Sequence, residues 1–256
     1  MNDSAAVHVE DHGRIRVLTM DHAPSLNGLS PLMRRLLMAC FAEAFADGAV
    51  GAIVVTGANA AFSAGSDIAA IPGQAVVERV ERLERFQDFV ARWSEQPKPV
   101  IAAVEGPVAG GGVSMVLASD VAIASSEARF VGGWLQLGLA PDAGAVWSLV
   151  RTLGPKRAFD WLHGGSELGA ARAEELGVVT AICEPGQALT AAIARAEIVL
   201  RAPVSARAAS KRLFAEAMAN PDLRSYLAVE SAELAALFSS VEHLEAVEAY
   251  LRRRSR

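Results

Sequence analysis

The stretch WLQLGLAPDAGAVW, from Trp134 to Trp147, sets a carboxylate between a proline and a glycine, eight residues after a tryptophan. Asp142 can act there in two ways. It can be the N-cap of a helix opening near Ala143, accepting a backbone N–H. It can also be an acid–base or nucleophile at a pocket wall. Trp134 is open to two readings as well. As an apolar wall it would favour the neutral acid, whereas an indole N–H aimed at the carboxylate would favour the anion. Two glycine loops, FSAGSDI (Phe62 to Ile68) and VAGGGVS (Val108 to Ser114), each leave a strand-like run and enter a helix-like one. Amides at a helix start lack intrahelical partners and carry the positive end of the dipole, so such loops suit an anion or a developing oxyanion. The second loop lacks the Lys-Ser/Thr ending of a phosphate loop, and its following strand ends in Ser125-Ser126 with Glu127 arriving late, which argues against a nucleotide site. Gly110 to Gly112 also permit close packing of a helix on a sheet.

The elements that must position these residues follow from spacing. Val7 to Glu10 and Ile15 to Met20 read as an opening hairpin turning at Asp11-His12-Gly13. Ser30-Pro31 supplies an N-cap and a first-turn proline, and Leu32, Leu36, Leu37, Cys40, Phe41, Ala44 and Phe45 recur at helical spacing up to Asp47-Gly48. A strand over Ala52 to Thr56 follows, then an amphipathic helix over roughly residues 74–94 with a stripe of Val80, Leu83, Phe86, Val90 and Trp93. PVIAAV, the triple-glycine loop, a small-residue helix through Met115 and Ala118, and VAIAS (Val121 to Ser125) repeat the same logic. Strand, glycine loop, helix, strand is an α/β pattern with parallel pairing. Beyond Gly133 the chain reads as mostly helical, with one short strand in VVTAIC (Val178 to Cys183). From about Gln187 it is helical to the end, broken at Pro203 and at Asn220-Pro221. This divides the chain into a core over residues 1–195 and a helical region over 196–256.

Composition narrows the class. A chain of 256 residues, 52% hydrophobic and 21% charged, can bury one large core without disulfides. A net charge of -5 gives no basic field for nucleic acid, and Arg252, Arg253, Arg254 and Arg256 form only a terminal tag. Cys40 and Cys183 lack metal-ligand spacing and read as buried thiols of a reducing compartment, so no metal site is expected and the cytoplasm is the default. Acidic residues before any apolar stretch contradict a secretory signal, and no apolar run is long enough to cross a bilayer.

Four motifs then occur in order: HAPSLNGLS (His22 to Ser30), AFSAGSDI (Ala61 to Ile68), PVIAAVEGPVAGGGVSMVLASDVAIAS (Pro99 to Ser125) and LGLAPDAGAV (Leu137 to Val146). Together they resemble the enoyl-CoA hydratase/isomerase superfamily, the crotonase fold, over about residues 6 to 250. The resemblance implies an α/β spiral of ββα units with a C-terminal helical oligomerisation region, commonly a homotrimer or a dimer of trimers. It implies acyl-CoA thioester substrates, with coenzyme A present only as part of the substrate and no separate cofactor. Carried onto this sequence, the oxyanion hole would be the backbone N–H groups of Ser66 and Gly111. Leu26, Ala64, Asp67 and Ile68 would line the path of the thioester and coenzyme A, although Asp67 also reads as the N-cap of the next helical turn.

The chain departs from the hydratase pattern where hydratases in this superfamily hold water between two glutamates: those positions are Ser114 and Trp134. Asp142 remains, at a locus where dienoyl-CoA and ring-epoxide isomerases place a proton-shuttling acid. The 4-chlorobenzoyl-CoA dehalogenase, with a tryptophan eight residues earlier, places a nucleophile there. That enzyme also needs a histidine base, whose position here is Gln87, and none of His8, His12, His22, His163 and His243 falls there. The expectation is therefore an enoyl-CoA double-bond isomerase, with Ser66 and Gly111 holding a dienolate, Asp142 moving the proton, and Trp134, Ser114 and Gln87 on the substrate side. The alternatives are a nucleophilic-aspartate hydrolase or dehalogenase, weak hydration through water on Asp142, and a catalytically silent acyl-CoA binder.

Overall fold

The computed structural model describes residues 5–67 and 75–254. Strands β1 (Ala6–His12) and β2 (Ile15–Asp21) form the expected antiparallel hairpin, turning at Gly13 with φ of 61°. Four more strands extend the sheet from β2: β3 (Ala52–Gly57), β4 (Val100–Val104), β6 (Val121–Ser125) and β9 (Ala181–Cys183). Its order is β1-β2-β3-β4-β6-β9, and every pair after the hairpin is parallel. Parallel strands are buried on both faces, which is why these segments read as continuous apolar runs rather than alternating ones.

The pleat divides each strand between two cores. Ile53 and Val55, with Val100, Ala102 and Val104, face the larger core beneath α1 (Pro31–Ala46) and α2 (Val76–Glu95). Ala52, Val54, Ile101 and Ala103 face the other way, against α7 (Ala188–Leu200). That helix presents Ala188, Ala192 and Ala196, all fully buried. Alanines four apart let its backbone lie close on the sheet. The expected boundary between residues 195 and 196 falls inside α7.

α1 starts as the Ser-Pro signal implies, with the Ser30 hydroxyl accepting from Met33 N at 3.2 Å. Its Phe41 stacks on Trp93 of α2 with ring centroids 4.5 Å apart, and Phe89 meets both rings edge-on. This aromatic lock fixes α2, whose first turns wall the site, against α1. A second, three-stranded sheet joins β5 (Pro107–Ala109) and β7 (Arg129–Val131) in parallel, with β8 (Leu168–Gly169) antiparallel to β7. Helix α3 (Gly111–Ala118) follows β5 directly. The strand expected over VVTAIC is shorter than its apolar run. The Val178 and Val179 amides both bond to Ala173 O, closing α6 (Ala170–Glu175) instead of entering the sheet.

α4 (Ala145–Leu153) packs on α5 (Pro155–Gly164), and the C-terminal helices are α8 (Val204–Ala219), α9 (Leu223–Phe238) and α10 (Val241–Arg254). Lys211 of α8 ties that region to the sheet, reaching Asp120 Oδ2 at 2.8 Å and Lys98 O at 3.1 Å. The same Asp120 oxygen accepts from Val100 N at the start of β4. Among the described residues no helix is long and apolar enough to cross a membrane.

Candidate active site

Three loops are woven together at the C-terminal ends of β2, β3 and β4. Asn27, buried and left-handed with φ of 58°, is the clamp. Its Nδ2 donates to Ala58 O and Ala61 O, both at 2.8 Å, and its Oδ1 accepts from His22 N at 2.8 Å. The Ser63 hydroxyl donates to Asn27 O, and Ser63 O accepts from Ala109 N. Ala64 N donates to Leu26 O, and Leu29 N to Gly65 O at 2.7 Å. Gly65 has φ of 80°, and a Cβ there would stand 2.5 Å from Ala109 O and 3.2 Å from Gly111 N. Only glycine allows that approach, and it brings the Ser66 and Gly111 peptides together. Among the described residues no carbonyl accepts from the Ser66 amide or from the Gly111 amide, which opens α3. Two such amides side by side suit an oxyanion.

Asp142 lies across the same cavity, about 500 Å³ in volume, whose wall includes Ala64, Ser66, Asp67, Gly111, Trp134 and Asp142. Its carboxylate is not a helix cap. α4 is capped by Gly144, with φ of 77° and no side-chain bond, and only the main-chain oxygen of Asp142 accepts from Ala145 N. Ala143 and Gly144 are consecutive left-handed residues, which turn the chain so that helix and carboxylate part company. Trp134 Nε1 donates to Asp142 Oδ1 at 3.0 Å, and the buried Ser114 hydroxyl donates to Asp142 O at 3.1 Å. The two positions where the resemblance expects glutamates thus both hold Asp142, one by its side chain and one by its main chain. Trp134 is a pocket wall and a donor at once. Its indole also reaches the glycine loop, with Nε1 3.9 Å from where a Gly110 Cβ would be.

Arg34 is the residue that sequence reasoning missed. It lies within α1 with only 7% of its surface exposed and borders the same cavity. Its Nε donates to Leu29 O at 2.9 Å, its Nη2 to Ser66 Oγ at 2.8 Å, and its guanidinium stands 4.4 Å over the Phe86 ring. Burial pulls its pKa down to about 10; the Asp142 charge works against that fall and the neighbouring Arg82 adds to it. The signal for it was helical phase. Arg34 falls in step with Leu37, Phe41 and Ala44, all buried, whereas Arg35 is exposed.

The remaining expected residues scatter. Leu26 is exposed and acts through its main-chain oxygen on Ala64, outside the cavity wall. Ser114 is buried behind Asp142. Gln87 borders a different cavity of about 1050 Å³ between α2, α4 and α8, which begins on the far side of the Asp142 turn at Ala143 and Gly144. Ile68 lies outside the described residues. Among the described residues no group of three His, Cys, Asp or Glu side chains converges as a metal site.

The enoyl-CoA hydratase/isomerase family profile matches residues 10–256. The crystal structure of an enoyl-CoA hydratase from Polaromonas sp. JS666 superposes with a TM-score of 0.92 at 30% identity, covering 96% of this chain and 97% of that one. The 1,2-epoxyphenylacetyl-CoA isomerase of Escherichia coli is 34% identical over 67% of this chain and 66% of its own length. The 4-chlorobenzoyl coenzyme A dehalogenase-1 of Arthrobacter sp is 38% identical over 53% of this chain and 51% of its own. Five further relatives bear the name of an enoyl-CoA hydratase.

Proposed function

Because this chain belongs to the enoyl-CoA hydratase/isomerase family, we propose that it is an acyl-CoA enzyme that moves a double bond along the acyl chain with one aspartate. The Ser66 and Gly111 amides bind the thioester oxygen. Asp142 takes a proton from the α-carbon of a 3-enoyl thioester, the pair of electrons spreads into a dienolate, and the carboxylic acid returns the proton at the γ-carbon. The product is the 2-enoyl thioester. Substrate and product are isomers, so the step balances with coenzyme A as the only carrier. An oxyanion donor of this kind is worth roughly 3 kcal/mol of barrier.

The observation that supports this reading is the double hold on Asp142 by Trp134 and Ser114, at the positions where a water-activating pair would need two carboxylates. One carboxylate is enough to carry a proton from carbon to carbon. Solvent deuterium should enter an enoyl-CoA bound to the wild type, and Asp142→Asn should abolish the exchange. Asp67, the other carboxylate on the cavity wall among the described residues, supplies the control, because Asp67→Asn should still exchange. Exchange at the wild-type rate in Asp142→Asn, or loss confined to Asp67→Asn, overturns the assignment.

The likeness to the dehalogenase favours a second reading, in which Asp142 attacks as a nucleophile. Gln87, at the expected base position, borders the other cavity, so an ester on Asp142 would lack a base to hydrolyse it. Single turnover in heavy-oxygen water that labels the Asp142 peptide would establish this second reading. The exposed apolar side chains of α8 to α10 support assembly as a homotrimer or a dimer of trimers.

A further inference from the structure

We infer that Arg34 is a positioning residue of the oxyanion loop: it fixes Ser66 and holds a positive charge behind the Ser66 amide, so that an enolate binds more tightly than the neutral thioester it comes from. This rests on the acyl-CoA reading above and assigns the site a charge-selecting device.

The geometry carries the first half. Arg34 ties two loops together beside Gly65, with Nη2 on Ser66 Oγ of one and Nε on Leu29 O of the other, while Leu29 N is itself bonded to Gly65 O. The ring of Phe86 beneath the guanidinium restricts its remaining freedom. A planar fork held at two acceptors and one face is a rigid strut, which a flexible ammonium would not replace. Ser66 therefore meets substrate already in place, and the loop need not order itself as charge develops.

The second half is electrostatic. Among the described residues no carboxylate lies within ion-pair distance of Arg34, and Asp142 reaches it only through the longer-range field. A buried cation without a close counter-ion is costly to the fold. It is least costly when an anion appears in the same cavity. The thioester is neutral and its dienolate is negative: proton transfer moves the negative charge from Asp142, which Arg34 meets only at longer range, to the oxygen at the Ser66 amide, whose side chain Arg34 touches, so the cation favours the dienolate. Interactions that strengthen only along the reaction raise turnover rather than ground-state affinity. Arg79 and Arg82 of α2 also border the cavity, but both are less buried than Arg34 and touch neither glycine loop in the bonds described.

The test compares two ligands of the whole protein: acetoacetyl-CoA, which ionises to an enolate with its own ultraviolet absorbance, and butyryl-CoA, which stays neutral. Arg34→Gln should weaken acetoacetyl-CoA by about tenfold or more, the worth of one charged hydrogen bond. Butyryl-CoA affinity should stay within about threefold of the wild type, because its thioester oxygen carries no charge. Arg34→Lys should recover part of the enolate preference, and Ser66→Ala, which cuts the tether and keeps the charge, should lose less than Arg34→Gln. Equal losses for both ligands would make Arg34 a structural prop and overturn the inference, and so would no loss. If Arg34→Gln does not fold, an unchanged ligand ratio in both Arg34→Lys and Ser66→Ala overturns it. Failure of the isomerase reading looks different, with no solvent exchange in the wild type while the ligand preference and its dependence on Arg34 persist.

Discussion

At the scale of single residues, the site is one carboxylate held from two directions. Replacing Trp134 with Phe keeps most of the buried ring and removes the donor to Asp142 Oδ1. The bond orients the carboxylate, and a catalytic group left out of position can cost up to about a hundredfold, so turnover should fall roughly ten- to a hundredfold. Solvent-exchange rates set against a thermal melt separate that loss from unfolding, and a large drop in melting temperature with activity preserved would contradict it. Ser114→Ala releases only the main-chain oxygen and should cost about 1 kcal/mol of stability with a smaller effect on rate. Asp142 and Trp134 could be picked out from their spacing and from the missing glutamates. The direction of their bond could not, since eight residues of separation say nothing about which way an indole points. Arg34 stayed hidden for another reason. A cation beside a second arginine defaults to the surface, and only its phase with Leu37 and Phe41 marks it as inward.

At the scale of elements, two loops form a site because the backbones at Gly65 and Ala109 nearly touch. Gly65→Ala would place a methyl 2.5 Å from Ala109 O on a residue with φ of 80°, and should cost about 2 kcal/mol or more while parting the Ser66 and Gly111 amides. Gly48→Ala, at an open position with no positive φ, is the matched control and should be neutral or slightly stabilising in urea denaturation. Similar losses at both glycines would refute the argument from close approach. The elements with clear periods were readable: the opening hairpin, the Ser30 cap, and the parallel runs of β3, β4 and β6. The small sheet of β5, β7 and β8 was not, because strands of two or three residues carry no period. Nor was the shortened β9, where two valines that look like strand pack into the core as the close of a helix.

At the scale of the whole molecule, the C-terminal helices turn large apolar groups outward. Phe214 is 73% exposed, Val241 68% and Phe238 63%. Large apolar side chains this open on helices that pack on one another favour burial against further copies of the chain. Sedimentation should give a mass above that of one chain, and Phe238→Asp should lower it. A wild type that sediments as a single chain would rule out the assembly. The Asn27 clamp has a different kind of consequence, concerning chemical ageing. Asn27 and Gly28 form a pair that in an open chain cyclises readily, the glycine nitrogen attacking the side-chain carbonyl as ammonia leaves. In the folded chain that nitrogen is turned onto Ser25, 3.0 Å from Oγ and 3.1 Å from O, while the Asn27 amide is held by Ala58 and Ala61. Conversion at Asn27 therefore counts excursions out of the fold rather than days in storage. Each count is permanent, because the acid that replaces the amide faces two carbonyl oxygens with no proton to give them, and the loops that hold Ser66 beside Gly111 do not close again.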